Sequence, residues 1–327
     1  MARTRLGFDI GGSSLKAAVV RDRGIQVHEL RLPENLVDEN GIAMPHVFIQ
    51  FLKNARRELR LPRAAASLTL PPSQCICRMV TMPKMTTSQL MMNLPYEFSD
   101  FIQGAADQYF CDYAVCEPAE GEDPEQDGVP MMAAVASKQW LAEYARIFSK
   151  AGIRLKTILP QEMTLINLTR ARKDGPEETF FIDLGHQHTS ITAVWRDRIQ
   201  ATRQIPLGGR NLDLAMADEL GVDAFLAGTY KLSNHQNIHS APVVTELCDR
   251  IAVEILKVIN FYQFTYRSSS LEGVYLVGGG ASLLPLRKAI ESAVGLPLLD
   301  IEDLMPGTGP EAAAGAFAAG AAMGGKL

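Results

Sequence analysis

At the head of the chain two apolar runs, Leu6–Ile10 and Leu15–Val20, flank the polar turn "GGSS". Both are short, and the second is rich in β-branched residues, so the pattern predicts two strands joined by a tight turn. A third strand is expected near Ile25–Leu32. Across "PHVFIQFLKNARREL", Phe48, Leu52, Ala55 and Leu59 recur at helical spacing, with Lys53, Arg56, Arg57 and Arg60 on the wet side. "AAASLTLP" returns to strand. Beyond Ser67 the rhythm changes. "CICRMVTMP" reads as a strand, and "TTSQLMMNLPYEFSDFI" as a helix that Pro95 kinks or restarts. "YFCDYAVCE" and "VPMMAAVAS" read as strands around "PAEGEDPEQDG", an acidic, solvated hairpin tip. Ser137 is placed to cap a helix whose Trp140, Leu141, Tyr144 and Phe148 share a face, and Gly152 to close it.

These elements define an inserted strand-helix-strand-strand-helix subdomain at 67–158, within a first lobe of 1–66 and 159–175. After the Gly/Pro break "KDGPEE", the stretch "FFIDLGHQHTSITAVW" repeats the opening order of apolar run, Asp, turn and apolar run. A second lobe of the same plan is therefore expected at 176–310. It continues through "QIPLGGRNLDLAMADEL", the long helical stretch "VVTELCDRIAVEILKVINFYQF" and "GVYLVGGGASLLPLRKAIESAV". The final 311–327 reads as a buried, small-residue helix. The element order is α/β with mixed sheets.

Bulk properties narrow the classes. A length of 327 residues suits two lobes. A net charge of −5 argues against broad nucleic-acid binding. Five cysteines without a regular framework fit a reduced, cytoplasmic compartment. The longest uncharged run, "AAAGAFAAGAAMGG", falls short of the ~20 residues that span a bilayer, so no direct membrane insertion is expected.

The candidate chemistry lies in the turns. Glycines let backbone N–H groups approach an anion, and small hydroxyl residues add donors. Asp9, Gly11, Gly12, Ser13 and Ser14 form one such set. Asp183, Gly185 and Thr189 form a second, and Gly278, Gly279, Gly280 and Ala281 a third. An aspartate ending a strand in each lobe can hold Mg²⁺ through water. Neither a GxxxxGK[ST] loop nor a GxGxxG element is present. Gln161 and Glu162, on the connection between lobes, could orient an attacking water or simply cap the following helix.

The three sets resemble the phosphate-1, phosphate-2 and adenosine motifs of the actin-like ATPase superfamily. Within it the chain is similar, over nearly its full length, to the PilM family of type IV pilus assembly proteins, relatives of the division protein FtsA. Lys16 after "SSL", "MPKMTTSQL", "AGIRLKTILPQEMTLIN", "IPLGGRNLDLAMADELG" and "PEAAAGAFAAGAA" carry that resemblance. It implies an actin-like fold of two duplicated ribonuclease H-like lobes, with the helix at 311–327 returning between them. It also implies ATP and Mg²⁺ between the lobes, with Lys16, Gly208, Gly209 and Lys231 joining the site and at most slow turnover. The implied partner is the N-terminal cytoplasmic tail of a PilN-like membrane protein, which would hold the chain at the inner face of the membrane. Its groove would lie between first lobe and inserted subdomain, near Pro83, Lys84, Met85, Leu90, Tyr96 and Phe98; self-association is a further option. The chain departs from the family in three places. Gly228 stands where a glutamate usually precedes the lysine, His186, Gln187 and His188 enlarge the second turn, and Gln103-Gly104 replaces a Pro-Phe. "DIGGSSLKAAVV" also suits the start of a ROK-type sugar kinase, and an FtsA-like filament former is the other alternative.

Overall fold

The computed structural model describes residues 4–38, 41–117, 127–170, 176–266 and 271–324. Strand β1 (Arg5–Ile10) turns into β2 (Ser14–Arg21) and then β3 (Gly24–Arg31). Their register pairs Asp9 with Lys16 and Ile10 with Leu15, which puts the polar turn at the strand tips. A small ribbon, β4 (Val37–Asp38) with β5 (Gly41–Ile42), precedes α1 (Pro45–Glu58) and β6 (Ala65–Leu70). Helix α1 buries Phe48, Ile49, Leu52 and Ala55, the apolar stripe of its sequence.

Next come β7 (Cys75–Met82), α2 (Thr87–Asn93), β8 (Tyr109–Val115), β9 (Val129–Ser137), α3 (Lys138–Lys150), β10 (Arg154–Pro160) and α4 (Gln161–Arg170). Thr86 and Gln89 close a capping box at the start of α2. Pro95 then begins a separate 3₁₀ segment, Leu94–Phe98, because proline has no N–H to continue the helix ladder. Ser137 accepts from the Gln139 N–H to start α3, and Gly152, at φ +75°, turns the chain out of it. The expected acidic hairpin tip falls almost wholly outside the described residues, as does the first half of the "KDGPEE" break.

One expectation is redrawn. Strands β6 and β10 pair in parallel with each other, and β6 with β1, so they belong to the first sheet. Helix α3 packs there too: Phe148 meets Phe8 edge-on at 5.3 Å, inside a core with Phe48 and Leu68. The inserted module therefore contracts from 67–158 to the three-stranded sheet β7-β9-β8 and its helical segments, 75–137. The helix expected to close the module instead covers the first lobe.

The second half contains β11 (Glu178–Leu184), β12 (Thr189–Trp195), β13 (Arg198–Ile205), α5 (Gly209–Leu220), α6 (Ala224–Ser233) and α7 (Pro242–Thr265). It finishes with β14 (Val274–Val277), α8 (Leu284–Val294), β15 (Leu298–Leu299) and α9 (Ala312–Met323). The sheet orders β10-β6-β1-β2-β3 and β13-β12-β11-β14-β15 are the same topology twice, three antiparallel strands followed by two parallel ones.

The two halves are joined by exchange. Helix α9 follows the second sheet yet lies on β1 and β2 of the first, and it packs along α4. One apolar core consequently contains Ala18 and Val27 from the first lobe, Phe181 and Tyr275 from the second, and Leu165 and Phe317 from the crossing helices. The approach is too close for side chains at two points. A Cβ on Gly7 would stand 1.8 Å from the Ala318 carbonyl oxygen, and one on Gly320 would stand 2.2 Å from that of Thr164. Gly7→Ala and Gly320→Ala are each expected to destabilise the chain by about 3 kcal/mol, since neither backbone can give way without moving a whole element. Urea unfolding of the two variants checks this; parental midpoints would mean that α9 does not lie in this seam.

Candidate functional site

The strand tips of both sheets converge on one cleft of about 850 Å³. Asp9, Gly11, Gly12, Ser13, Ser14 and Lys16 reach it from the first hairpin, and Asp183, Gly185 and Thr189 from the second. Gly208 and Gly209 open α5 there, Lys231 projects from α6, and Gly278, Gly279 and Gly280 follow β14. Ala281 does not line the cleft; it is buried in the second-lobe core. The two hairpin turns nearly touch: a Cβ on Gly12 would stand 3.1 Å from His186 Cδ2. Gly278 passes directly over the second acid, at φ +84°, where a Cβ would fall 2.3 Å from Asp183 Oδ1. Only glycine fits that step.

The cleft floor is electrostatically tense. Burial raises Asp9 above the usual carboxylate range, opposed by Lys16, whose Nζ lies 3.9 Å from Oδ2, and reinforced by Glu29. Glu29 also accepts a 2.6 Å hydrogen bond from the Ser14 hydroxyl. Burial, with the charge on Asp9 adding, pushes Asp183 up to about 7 against the pull of Lys16 and of Gln161. The Gln161 amide donates to Asp183 Oδ2 at 3.1 Å. Two neighbouring acids share one lysine, so a divalent cation between them would let both ionise. The hard oxygen donors and the bare-backbone turns fit Mg²⁺ and a phosphate chain: Asp9 and Asp183 would hold the ion, and the two turns the anion.

Glu162 sits elsewhere. It is buried behind the cleft beside a small void lined by Leu165, Phe181, Thr202 and Phe317, and its Oε2 makes no hydrogen bond. Of the two expected water-handling residues, then, Gln161 alone faces the cleft. Among the expected groove residues, Leu90 and Phe98 belong to the module's core with Val80 and Met131, and Met85 leans on that core. Pro83, Lys84 and Tyr96 are exposed, as are Met91 and Met92 beside them.

The sequence does not single out the cleft residues Glu29, Arg31 and Asp213. Glu29 and Arg31 are alternate residues of β3, so a strict period-2 reading would have put both on one face. Asp213 is a lone acid on the buried side of α5, 2.5 Å from Lys231 Nζ and 3.7 Å from His186 Nδ1. Arg31 crosses from the first lobe to α6, donating to the Phe225 carbonyl at 2.7 Å and the Thr229 hydroxyl at 2.6 Å. Its guanidinium lies 4.2 Å from the Phe225 ring centroid.

Burial holds Glu162 up at about 7, from 4.5. The folded chain therefore keeps a proton that the unfolded chain releases, and stability is lost as pH rises from about 4.5 to 7. Glu162→Gln is expected to raise stability at pH 8 by up to about 3 kcal/mol and to flatten, though not abolish, that slope, because Asp183 titrates in the same window. Denaturation curves at pH 5 and pH 8 measure both effects. Equal slopes in parent and variant would show that Glu162 is ionised throughout.

The sequence profile of the family described as "Type IV pilus assembly protein PilM" matches residues 7–304. Among solved structures, the "PilM-PilN type IV pilus biogenesis complex" aligns with a TM-score of 0.79 at 21% identity, over 98% of this chain and 97% of that one. The ethanolamine utilization protein EutJ from Carboxydothermus hydrogenoformans aligns at a TM-score of 0.59 and 16% identity, over 99% and 90%. The duplicated sheets, the exchanged helices and the interlobe cleft are those of the actin-like ATPase fold. The chain belongs to the PilM family of type IV pilus assembly proteins.

Proposed function

We propose that the chain is a nucleotide-clamped adaptor of a type IV pilus inner-membrane platform. It would close its lobes on Mg-ATP and dock the cytoplasmic N-terminal tail of a PilN-like membrane protein. The observation that carries the nucleotide reading is the convergence of Asp9, Asp183 and three bare-backbone turns on one cleft between lobes. A ligand touching both lobes favours whichever arrangement brings them together, by its difference in affinity for the open and closed states. Turnover would be slow. Hydrolysis needs a group to orient or deprotonate water at the γ-phosphate, and Gln161 is engaged with Asp183 while Glu162 is out of reach.

Family membership and the match to the complex named for PilM and PilN support the partner reading. On this chain the exposed rim of the module, with Pro83, Lys84, Tyr96, Met91 and Met92, offers apolar contacts to an extended peptide. Among the described residues no helix is long and apolar enough to cross a membrane. The partner would accordingly supply the membrane link, with the chain itself on the cytoplasmic side.

Calorimetric titration with Mg-ATP, with and without the PilN-like peptide, tests the reading. Asp9→Ala and Asp183→Ala are each expected to weaken Mg-ATP binding about tenfold or more while circular dichroism stays unchanged. Parental affinity in both variants would overturn the site assignment. Tyr96→Ala is expected to weaken the peptide alone; an unaffected peptide isotherm would move its groove elsewhere.

A further inference from the structure

The chain is acidic as a whole, at −5, yet one end of its first lobe is basic. Strand register defines that end. Arg154 of β10 and Arg5 of β1 flank Ala65 of β6 in one row, and Arg21 pairs with Gly24 where β2 turns into β3. Asp9 stands at the other end of β1, so the basic end and the cleft are opposite ends of the same strands. The last turns of α1 and α3 finish at the basic end too. There the Arg56 guanidinium donates to the Ala151 carbonyl at 3.5 Å, just before the chain enters β6 and β10.

Exposed on this end are Arg23, Arg57, Arg60, Arg63, Lys150 and Arg154, against the acids Asp22 and Glu58. Among the described residues none of these six cations is held in an ion pair. Helix termini account for part of the set, since a cation in a last turn meets the partial negative charge there, as Arg57 and Lys150 do. Arg23, Arg63 and Arg154 lie outside the helices and have no such use. The duplication supplies an internal comparison. At the same end of the second sheet Arg196 pairs with Glu177 at 3.0 Å, Asp197 pairs with Arg170 at 3.0 Å, and Glu272 stands just before β14. Charge is balanced on the second lobe and of one sign on the first.

A face of one sign, spread over strand starts and helix ends, fits a flat anionic surface. None of the large exposed apolar side chains belongs to these segments, whereas a folded partner is gripped through such anchors. Single-stranded nucleic acid is held by stacking on exposed aromatics, and this end offers none. Basic residues within a Debye length of anionic headgroups are attracted whatever the charge on the remote side, because solvent ions screen the rest.

We propose that the basic end of the first lobe rests on the anionic headgroups of the cytoplasmic leaflet, which turns the interlobe cleft away from the membrane. This rests on the reading that the chain works at an inner-membrane platform, and it adds a contact of the chain's own to the one made through the tail. The contact is electrostatic and needs no insertion, as no large apolar side chain is there to enter the bilayer.

Flotation of the full chain with vesicles tests this, without any peptide or nucleotide. In about 50 mM salt the parent is expected to float with phosphatidylcholine vesicles carrying about 30% phosphatidylglycerol, not with phosphatidylcholine alone, and to be released at about 300 mM. Arg57→Glu with Arg154→Glu is expected to weaken the anionic vesicles about tenfold or more. Arg287→Glu with Lys288→Glu, the same charge change on exposed positions of α8, is expected to leave them at parental affinity. Should the first pair unfold by circular dichroism, Arg57→Gln with Arg154→Gln decides, with an expected loss of about threefold. No flotation, equal flotation with both vesicles, or equal losses in the two reversal pairs overturns the proposal. So does a DNA duplex that binds the parent more tightly than the anionic vesicles at the same salt, which would make the face a nucleic-acid surface. The peptide titration above needs no vesicle, so failure here leaves the tail reading standing, and failure there leaves this measurement intact.

Discussion

The contact on which this molecule depends is one of backbone against backbone, where α9 crosses β1 and α4. Residues at Gly7 and Gly320 can carry no side chain, and the seam they permit fuses the cores of two lobes into one. Apolar burial of this kind is non-directional; the carbonyl contacts at 318 and 164 give it a register. From that seam the geometry of the cleft follows. The strand tips bearing Asp9 and Asp183 face each other because the sheets behind them are held by α4 and α9.

The seam also explains why so much charge can be gathered in one place. Asp9, Glu29, Asp183 and Asp213 occupy a cleft whose lysines are Lys16 and Lys231. Left alone, such acids resist ionisation, and Asp9 and Asp183 both move toward neutrality for that reason. Functional sites are characteristically less stable than their scaffold, because they hold groups that only a ligand can satisfy. Here the scaffold that tolerates them sets the alanines of α9 against branched aliphatics such as Val27, Leu165 and Ile166 and the aromatics Phe181 and Tyr275.

Much of this was legible in the residues. The strand–Asp–turn–strand unit announced the duplication, since the same order of apolar run, acid, turn and apolar run recurs in each half. Pro95, Ser137 and Gly152 marked their element boundaries by local chemistry alone. What could not be read was pairing across distance. Strands β6 and β10 look no different from module strands until their parallel partners are known, so the sequence pattern alone does not separate them from the module. The same limit hid Asp213: a solitary acid on an amphipathic helix acquires meaning only when Lys231 and the bare Gly228 are seen beside it. Leu90 and Phe98 carry the right character for a docking groove, but their burial sends them into the module's interior instead.

The exchange of helices has a consequence for how the chain comes into being. The Arg5 guanidinium donates to the Met323 carbonyl at 2.9 Å, joining points 318 residues apart. During synthesis β1 leaves the ribosome well before α9, so one of its faces has no cover until α9 emerges. The nascent first lobe must remain incompletely packed until then, with its apolar face open to chaperones or to neighbouring chains.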